Sequence, residues 1–158
     1  MKKTIRTAIV ALCAALALCG CSKSKNSLPG SYTYKISGSL TLEGDSVVSL
    51  FPEQGQMHII DCGDGKVVVT FNDITGDAVV ASATMDGNEL TFDNAQKKSI
   101  STSDGTLKTG STVVEWTGSG KLLDDMFIAG LKYSGEAKSG LETKAITECS
   151  IQCVAQKN

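Results

Sequence analysis

The sequence predicts an all-β, antiparallel sandwich or barrel, and three observations lead there. From Tyr32 to Leu42 every even position except Gly38 is apolar and every odd one polar, a period of two over eleven residues. Turn signals built on Gly, Asp and Asn recur about every 8 to 12 residues, the spacing of short antiparallel strands. No segment after Pro29 carries a convincing helical period.

In chain order, residues 1–20 come first. Lys2, Lys3 and Arg6 precede the uncharged run Thr7–Leu18, which reads as a secretory signal. That run is shorter than the roughly 20 residues a membrane-crossing helix needs. Leu18-Cys19-Gly20-Cys21 resembles a bacterial lipobox. The resemblance implies cleavage after Gly20, lipidation of Cys21 and, with Ser22 following, an outer-membrane location facing either the periplasm or the exterior. Three acyl chains exceed the two that suffice for stable anchoring. Residues 21–29 form the lipidated cysteine and a polar tether ending at Pro29-Gly30, and 30–158 form one domain.

Cleavage at that point leaves 138 residues with 12 basic and 17 acidic side chains, a net charge of −5. A nucleic-acid binder would carry the opposite sign. The lipid is then the expected membrane attachment.

After the first strand, with Gly38 read as a bend, Glu43-Gly44-Asp45 turns the chain. Val47–Phe51 is a short strand stopped by Pro52, and Gln56–Cys62 and Lys66–Phe71 flank the turn Gly63-Asp64-Gly65. Asn72–Asp77 is a loop. Ala78–Met85 and Glu89–Phe92 flank Asp86-Gly87-Asn88, and Asn94–Ser99 reads as polar and loose. Ser103-Asp104-Gly105 is a further turn. Ser111–Gly120 and Met126–Ser134 flank a hairpin tipped by Asp124-Asp125, Glu136–Gly140 reads as a loop, and Glu142–Ala155 is the last strand. That makes eight to ten strands, and closure into a barrel would remove exposed edges.

The opening Pro29-Gly30-Ser31-Tyr32 after a lipobox, with the segments Met85–Phe92 and Thr117–Leu122, resembles the lipocalin-like (calycin-like) lipoproteins of Gram-negative gut bacteria. The resemblance implies an antiparallel up-and-down barrel of about eight strands, sometimes with a ligand cavity, and no settled activity.

Catalytic chemistry is not legible. His58, the single histidine, lies in an apolar strand with no Gly-x-Ser-x-Gly nucleophile motif elsewhere. His58, Cys62, Cys149 and Cys153 are zinc-ligand types, but residues four apart on a strand lie about 13 Å from each other, too far to share an ion. No metal or cofactor is expected. The acidic residues Asp61, Asp64, Asp124 and Asp125 fall at turns, where Asp bonds its own main chain. Glu115 and Trp116 are strand neighbours and face opposite ways. Export permits a disulfide from Cys62 to Cys149 or Cys153, worth about 4 kcal/mol in the loop-entropy picture. Three reduced, buried thiols are the alternative.

What remains is binding. Tyr34, Ile36, Leu40, Val69, Phe71, Trp116, Phe127 and Leu131 are candidates to line an interior, with Gly38, Ala81, Ala83 and Ala129 leaving space among them. The first expectation is a non-enzymatic, lipid-anchored barrel holding a small apolar or amphipathic ligand. The second is an envelope interaction or structural module that offers loops or a barrel face to a partner or as an inhibitor surface.

Overall fold

The computed structural model describes residues 27–93, 95–103 and 108–158. The signal segment, the lipobox Cys21 and the Asp104-Gly105 turn lie outside the described residues.

Strands follow the alternation read from the sequence. They are β1 (Gly30–Leu42), β2 (Ser46–Leu50), β3 (Glu53–Gly63), β4 (Lys66–Asp73), β5 (Ala78–Asp86), β6 (Glu89–Phe92), β7 (Gln96–Ser103), β8 (Lys108–Leu123), β9 (Met126–Ser134), β10 (Glu136–Ser139) and β11 (Glu142–Lys157). All pairings are antiparallel, and β1-β3-β4-β5-β6-β8-β9-β11 closes on itself as an eight-stranded ring. The fold is an all-β, up-and-down barrel.

The three short strands outside that ring are continuations of ring strands. β2 and β3 lie in succession along β1, β2 against Ser39–Leu42 and β3 against Gly30–Ile36. Phe51-Pro52 separates them, because proline has no N–H to give the ladder. β6 and β7 likewise follow one another along β8. β9 and β10 follow one another along β11, separated at Gly135, whose φ of 117° suits glycine. Glu136–Ser139 and Gln96–Ser99 are thus corrected from irregular chain to β10 and the first half of β7. Their few apolar residues hid the signal, although Ala137 and Ile100 point inward.

Tyr32, Tyr34, Ile36, Leu40 and Leu42 of β1 all face the core, as the period of two requires. Gly38 takes a φ of 150°, which suits glycine. It sits where β1 exchanges β3 for β2, and the register shift against β11 comes later, between Thr41 and Leu42. A Cβ on Gly38 would lie 2.0 Å from the Ser150 carbonyl oxygen, so glycine there lets two backbones touch. Gly55 on β3 is equally close to the Asn72 oxygen, at 2.0 Å.

The register places Cys62 far from both of the cysteines it could have bridged. Cys153 pairs with Ile36, and Ile36 pairs with Glu53 on β3. Cys62 lies nine residues beyond Glu53, about 30 Å along the strand. Cys149 pairs with Leu40, farther still from Cys62. A bridge needs Cα atoms within about 7 Å, and the three residues are thiols here.

Gly38→Ala and Gly55→Ala are each expected to destabilise the barrel by about 1–3 kcal/mol or more. Gly130→Ala, whose added Cβ meets nothing within 4 Å, should change stability by less than about 0.5 kcal/mol. Urea unfolding followed by Trp116 fluorescence measures all three.

Candidate functional site: a slit in the barrel wall

The wall has a step. β4 and β5 end at the loop after Asp73, short of the level that β2 and β7 reach. Past that loop β7 pairs directly with β2, at Ser49–Ser103 and Leu50–Thr102. The ring therefore has eight strands on one side of the step and six (β1-β2-β7-β8-β9-β11) on the other. β7 does not pair with β5: on its side away from β4, β5 pairs only with β6, through Ala83–Asp86. A slit remains between the first half of β5 and the first half of β7.

Two adjoining hollows open there. One, of about 210 Å³, is bordered by Leu50, Phe51, Pro52, Ile74 and Ile100. The other, of about 280 Å³, is bordered by Phe71, Ala78, Val79, Lys97, Lys98 and Ser99, and Glu53, Asp73 and Asp77 reach both. Phe51 and Ile74 stand at the mouth, 44% and 74% exposed. The loop between β4 and β5 is held by Asp73, whose carboxylate accepts from the Thr75 N–H (2.8 Å), the Thr75 hydroxyl (2.7 Å) and the Asp77 N–H (3.0 Å). Burial alone would raise the Asp73 pKa. These hydrogen bonds outweigh it and hold the carboxyl below its ordinary value. Ile74 N–H donates to the Gln54 carbonyl at 3.0 Å, which fixes the loop against β3.

Beneath the slit lies a buried polar cluster. Lys98 points inward from β7, its side chain 5% exposed, and forms an ion pair with Glu53, whose side chain is 21% exposed. Tyr34 donates its hydroxyl to the other Glu53 oxygen at 2.8 Å. Burial first, then the Glu53 charge and this hydrogen bond, raise the Tyr34 pKa. Burial, with Glu53 and the two nearby thiols adding to it, raises that of Tyr133. Burial pushes the Cys153 thiol up to about 12, Lys98 pulling it down and Glu53 adding to the rise. A thiol so suppressed is a packing group, not a nucleophile.

All eight residues expected to line an interior do lie inside: Tyr34, Ile36, Leu40, Val69, Phe71, Trp116, Phe127 and Leu131 are buried. They pack on one another. Tyr34 meets Phe71 edge-on at 5.2 Å between ring centres, and Phe71 meets Trp116 at 6.0 Å. The space between Ile36, Phe71, Val79, Lys98, Trp116 and Leu131 has about 0 Å³ for a water. Small residues accommodate neighbours here. A Cβ on Gly120 would meet the Phe127 ring at 2.5 Å and Ala129 at 2.6 Å. Leu28 is fully buried with them, and its carbonyl accepts from the Tyr32 hydroxyl at 2.5 Å.

The other residues weighed for chemistry do not converge. His58 Nδ1 lies 3.0 Å from the Ser31 hydroxyl. Asp61 accepts from the Gly63 N–H at 2.8 Å, and Asp64 and Asp124 take positive φ at turns, of 53° and 57°. Trp116 is buried while Glu115 lies outside, 3.8 Å from Lys97. Among the described residues no three His, Cys, Asp or Glu side chains are grouped to hold a metal ion. Lys98 and Glu53 were missed from the sequence, since a lysine in a polar run reads as solvated. The alternation Lys98, Ile100, Thr102 was the available signal.

No protein-family model matches the chain, and no curated protein is significantly similar to it.

Glu53→Gln leaves the Lys98 ammonium buried without its counter-charge and should cost about 3–5 kcal/mol. Lys98→Met leaves Glu53 with the Tyr34 hydroxyl and partial access to water, and should cost about 1–3 kcal/mol. The double variant should be less destabilised than the sum of the two, because no buried charge is left alone. Urea denaturation of the three variants measures this.

Alkali should loosen the barrel. Cys153 and Tyr32 are raised from 9.0 and 10.0 to about 12 in the fold, so unfolding releases protons that the native state keeps. Their contribution is full below pH 9 and is lost as pH rises from about 9 toward 12. Thermal melting against pH should fall in that window, and Cys153→Ala should flatten its lower part, between about pH 9 and 10.

Proposed function

We propose that the chain is a lipid-anchored, non-enzymatic interaction module of the outer membrane, and that the slit between β5 and β7 is where it meets a partner protein. The observation that carries this reading is the slit itself: the wall is open between β5 and β7, with Phe51 and Ile74 exposed at its mouth. Single exposed apolar residues are ordinary on a protein surface. Two at the lip of a hollow, beside strands lacking their neighbours, are a better fit to a contact surface. The lack of room for a water between Ile36, Phe71, Val79, Lys98, Trp116 and Leu131 weighs against a ligand held among those side chains. The lipobox-like Leu18–Cys21 and the lipocalin-like pattern support the anchor and the envelope setting. The chain enters the barrel at Leu28, beside the β8–β9 hairpin, where the Lys157 N–H donates to the Asp125 carbonyl at 2.7 Å. An anchor at Cys21 would tether that end.

A small amphipathic ligand is the second reading. What favours it is the hollow of about 280 Å³ bordered by Phe71 and Val79, which lies at the slit.

In a Gram-negative host, Cys21→Ser should abolish palmitate labelling and release the chain from the membrane fraction. A photo-crosslinking side chain at Ser99, on the slit, should give one dominant protein adduct. The same group at Lys132, exposed on β9, should not. Equal adducts at both sites would overturn the slit as the contact surface. No protein adduct at Ser99, with a small molecule retained in native mass spectrometry, would replace the first reading with the second.

A further inference from the structure

The slit has a backbone chemistry of its own. Ser101 on β7 offers its carbonyl away from β8, where the Phe51 N–H donates to it at 2.8 Å. Main-chain groups alternate sides along a strand, so Ser99 and Lys97 turn theirs the same way, into the slit. On β5 the Ser82 carbonyl accepts from the Asp93 N–H at 3.1 Å, away from β4. Val80 and Ala78 therefore also face the slit. Each of these four residues carries one donor and one acceptor. Among the described residues no hydrogen bond joins their slit-side groups to protein.

We propose that an extended segment of a partner protein adds to the barrel as a β-strand in this slit, hydrogen-bonding the main chain of Ala78 and Val80 on one edge or of Lys97 and Ser99 on the other. The inference rests on the slit being the docking surface. The occupant follows from the chemistry presented. Alternating donors and acceptors at strand spacing are matched by another extended main chain and poorly by a globular face. β5 and β7 run in opposite directions, so a strand lying antiparallel to one runs parallel to the other. Its inward side chains would meet Val79 and Phe71 at the floor, which selects apolar or β-branched residues at alternate positions. Its outward ones would lie beside Val80, which is 61% exposed. Lys97 at the slit is the kind of residue that discourages indiscriminate edge pairing.

The test uses the full-length chain in detergent and short random peptides displayed on phage, the enriched peptide then being synthesised. Val80→Pro and Ser99→Pro each delete a slit-facing N–H that no strand ladder uses, a place where proline is tolerated. The peptide should bind the wild-type chain and lose at least about tenfold in affinity to one of the proline variants. Val80→Thr should bind within about twofold of wild type. N-methylating alternate amides of the peptide should abolish binding to the unaltered protein, a readout that needs no variant to fold. Binding that survives both the proline variants and N-methylation overturns the proposal, as does failure to enrich any peptide. A wild-type dimer that Val80→Pro or Ser99→Pro dissolves also overturns it, since the occupant is then a second copy. If these tests fail while Ser99 still crosslinks one protein in cells, strand addition is removed and the docking surface stands. Loss of the crosslink as well removes both.

Discussion

Closure of the ring by its two end strands is the constraint on which everything else depends. β1 pairs with β11 from Tyr32–Lys157 to Leu42–Ile146, joining the beginning of the barrel to its end. The inward face of β1, from Tyr32 to Leu42, is covered only when that pairing exists, because one long edge of β1 would otherwise lie open. The contact spans more than a hundred residues of chain, so its loop-closure entropy is offset only when most of the interior forms with it. Gly38 is the local condition: any Cβ there would push Ser150 away and part the closing strands.

The step in the wall follows from strand length. β4 and β5 are too short to reach the level of β2 and β7, so the ring narrows from eight strands to six. A sheet cannot lose two strands without leaving edges somewhere, and the slit is where they are left. A buried ion pair, Glu53 with Lys98, sits below it. Such a pair is weak as a source of stability, because desolvation opposes its attraction. It persists here because Tyr34 satisfies Glu53 and because Glu53 keeps partial contact with water. Burial, with the Glu53 charge adding to it, raises the Tyr34 and Tyr133 pKa values.

Much of the fold was legible. The alternation of β1 and the Gly and Asp turns at residues 44, 64, 87 and 124 located the hairpins, and the inward residues of β1, β4 and β9 were read correctly. β7 and β10 were not legible, because strands with few apolar residues look like loops until a neighbour supplies the other half of their ladder. The slit was not legible either. It depends on which strand ends first and on which distant strand then becomes the neighbour, and neither has a periodic signature.

The sequence by itself determined the strand class, the turns and the inward side chains of β1, β4 and β9, because a period of two and the φ preferences of Gly and Asp are properties of adjacent residues. Tertiary structure alone decided three things. Cys62 lies about 30 Å along the strand from the level of Cys153; Lys98 turns into the core; and Gly118 and Gly120 give their space to Leu131 and Phe127. Each of these is a matter of register between strands far apart in sequence. Register is set by how the whole ring closes, and no local stretch carries that information.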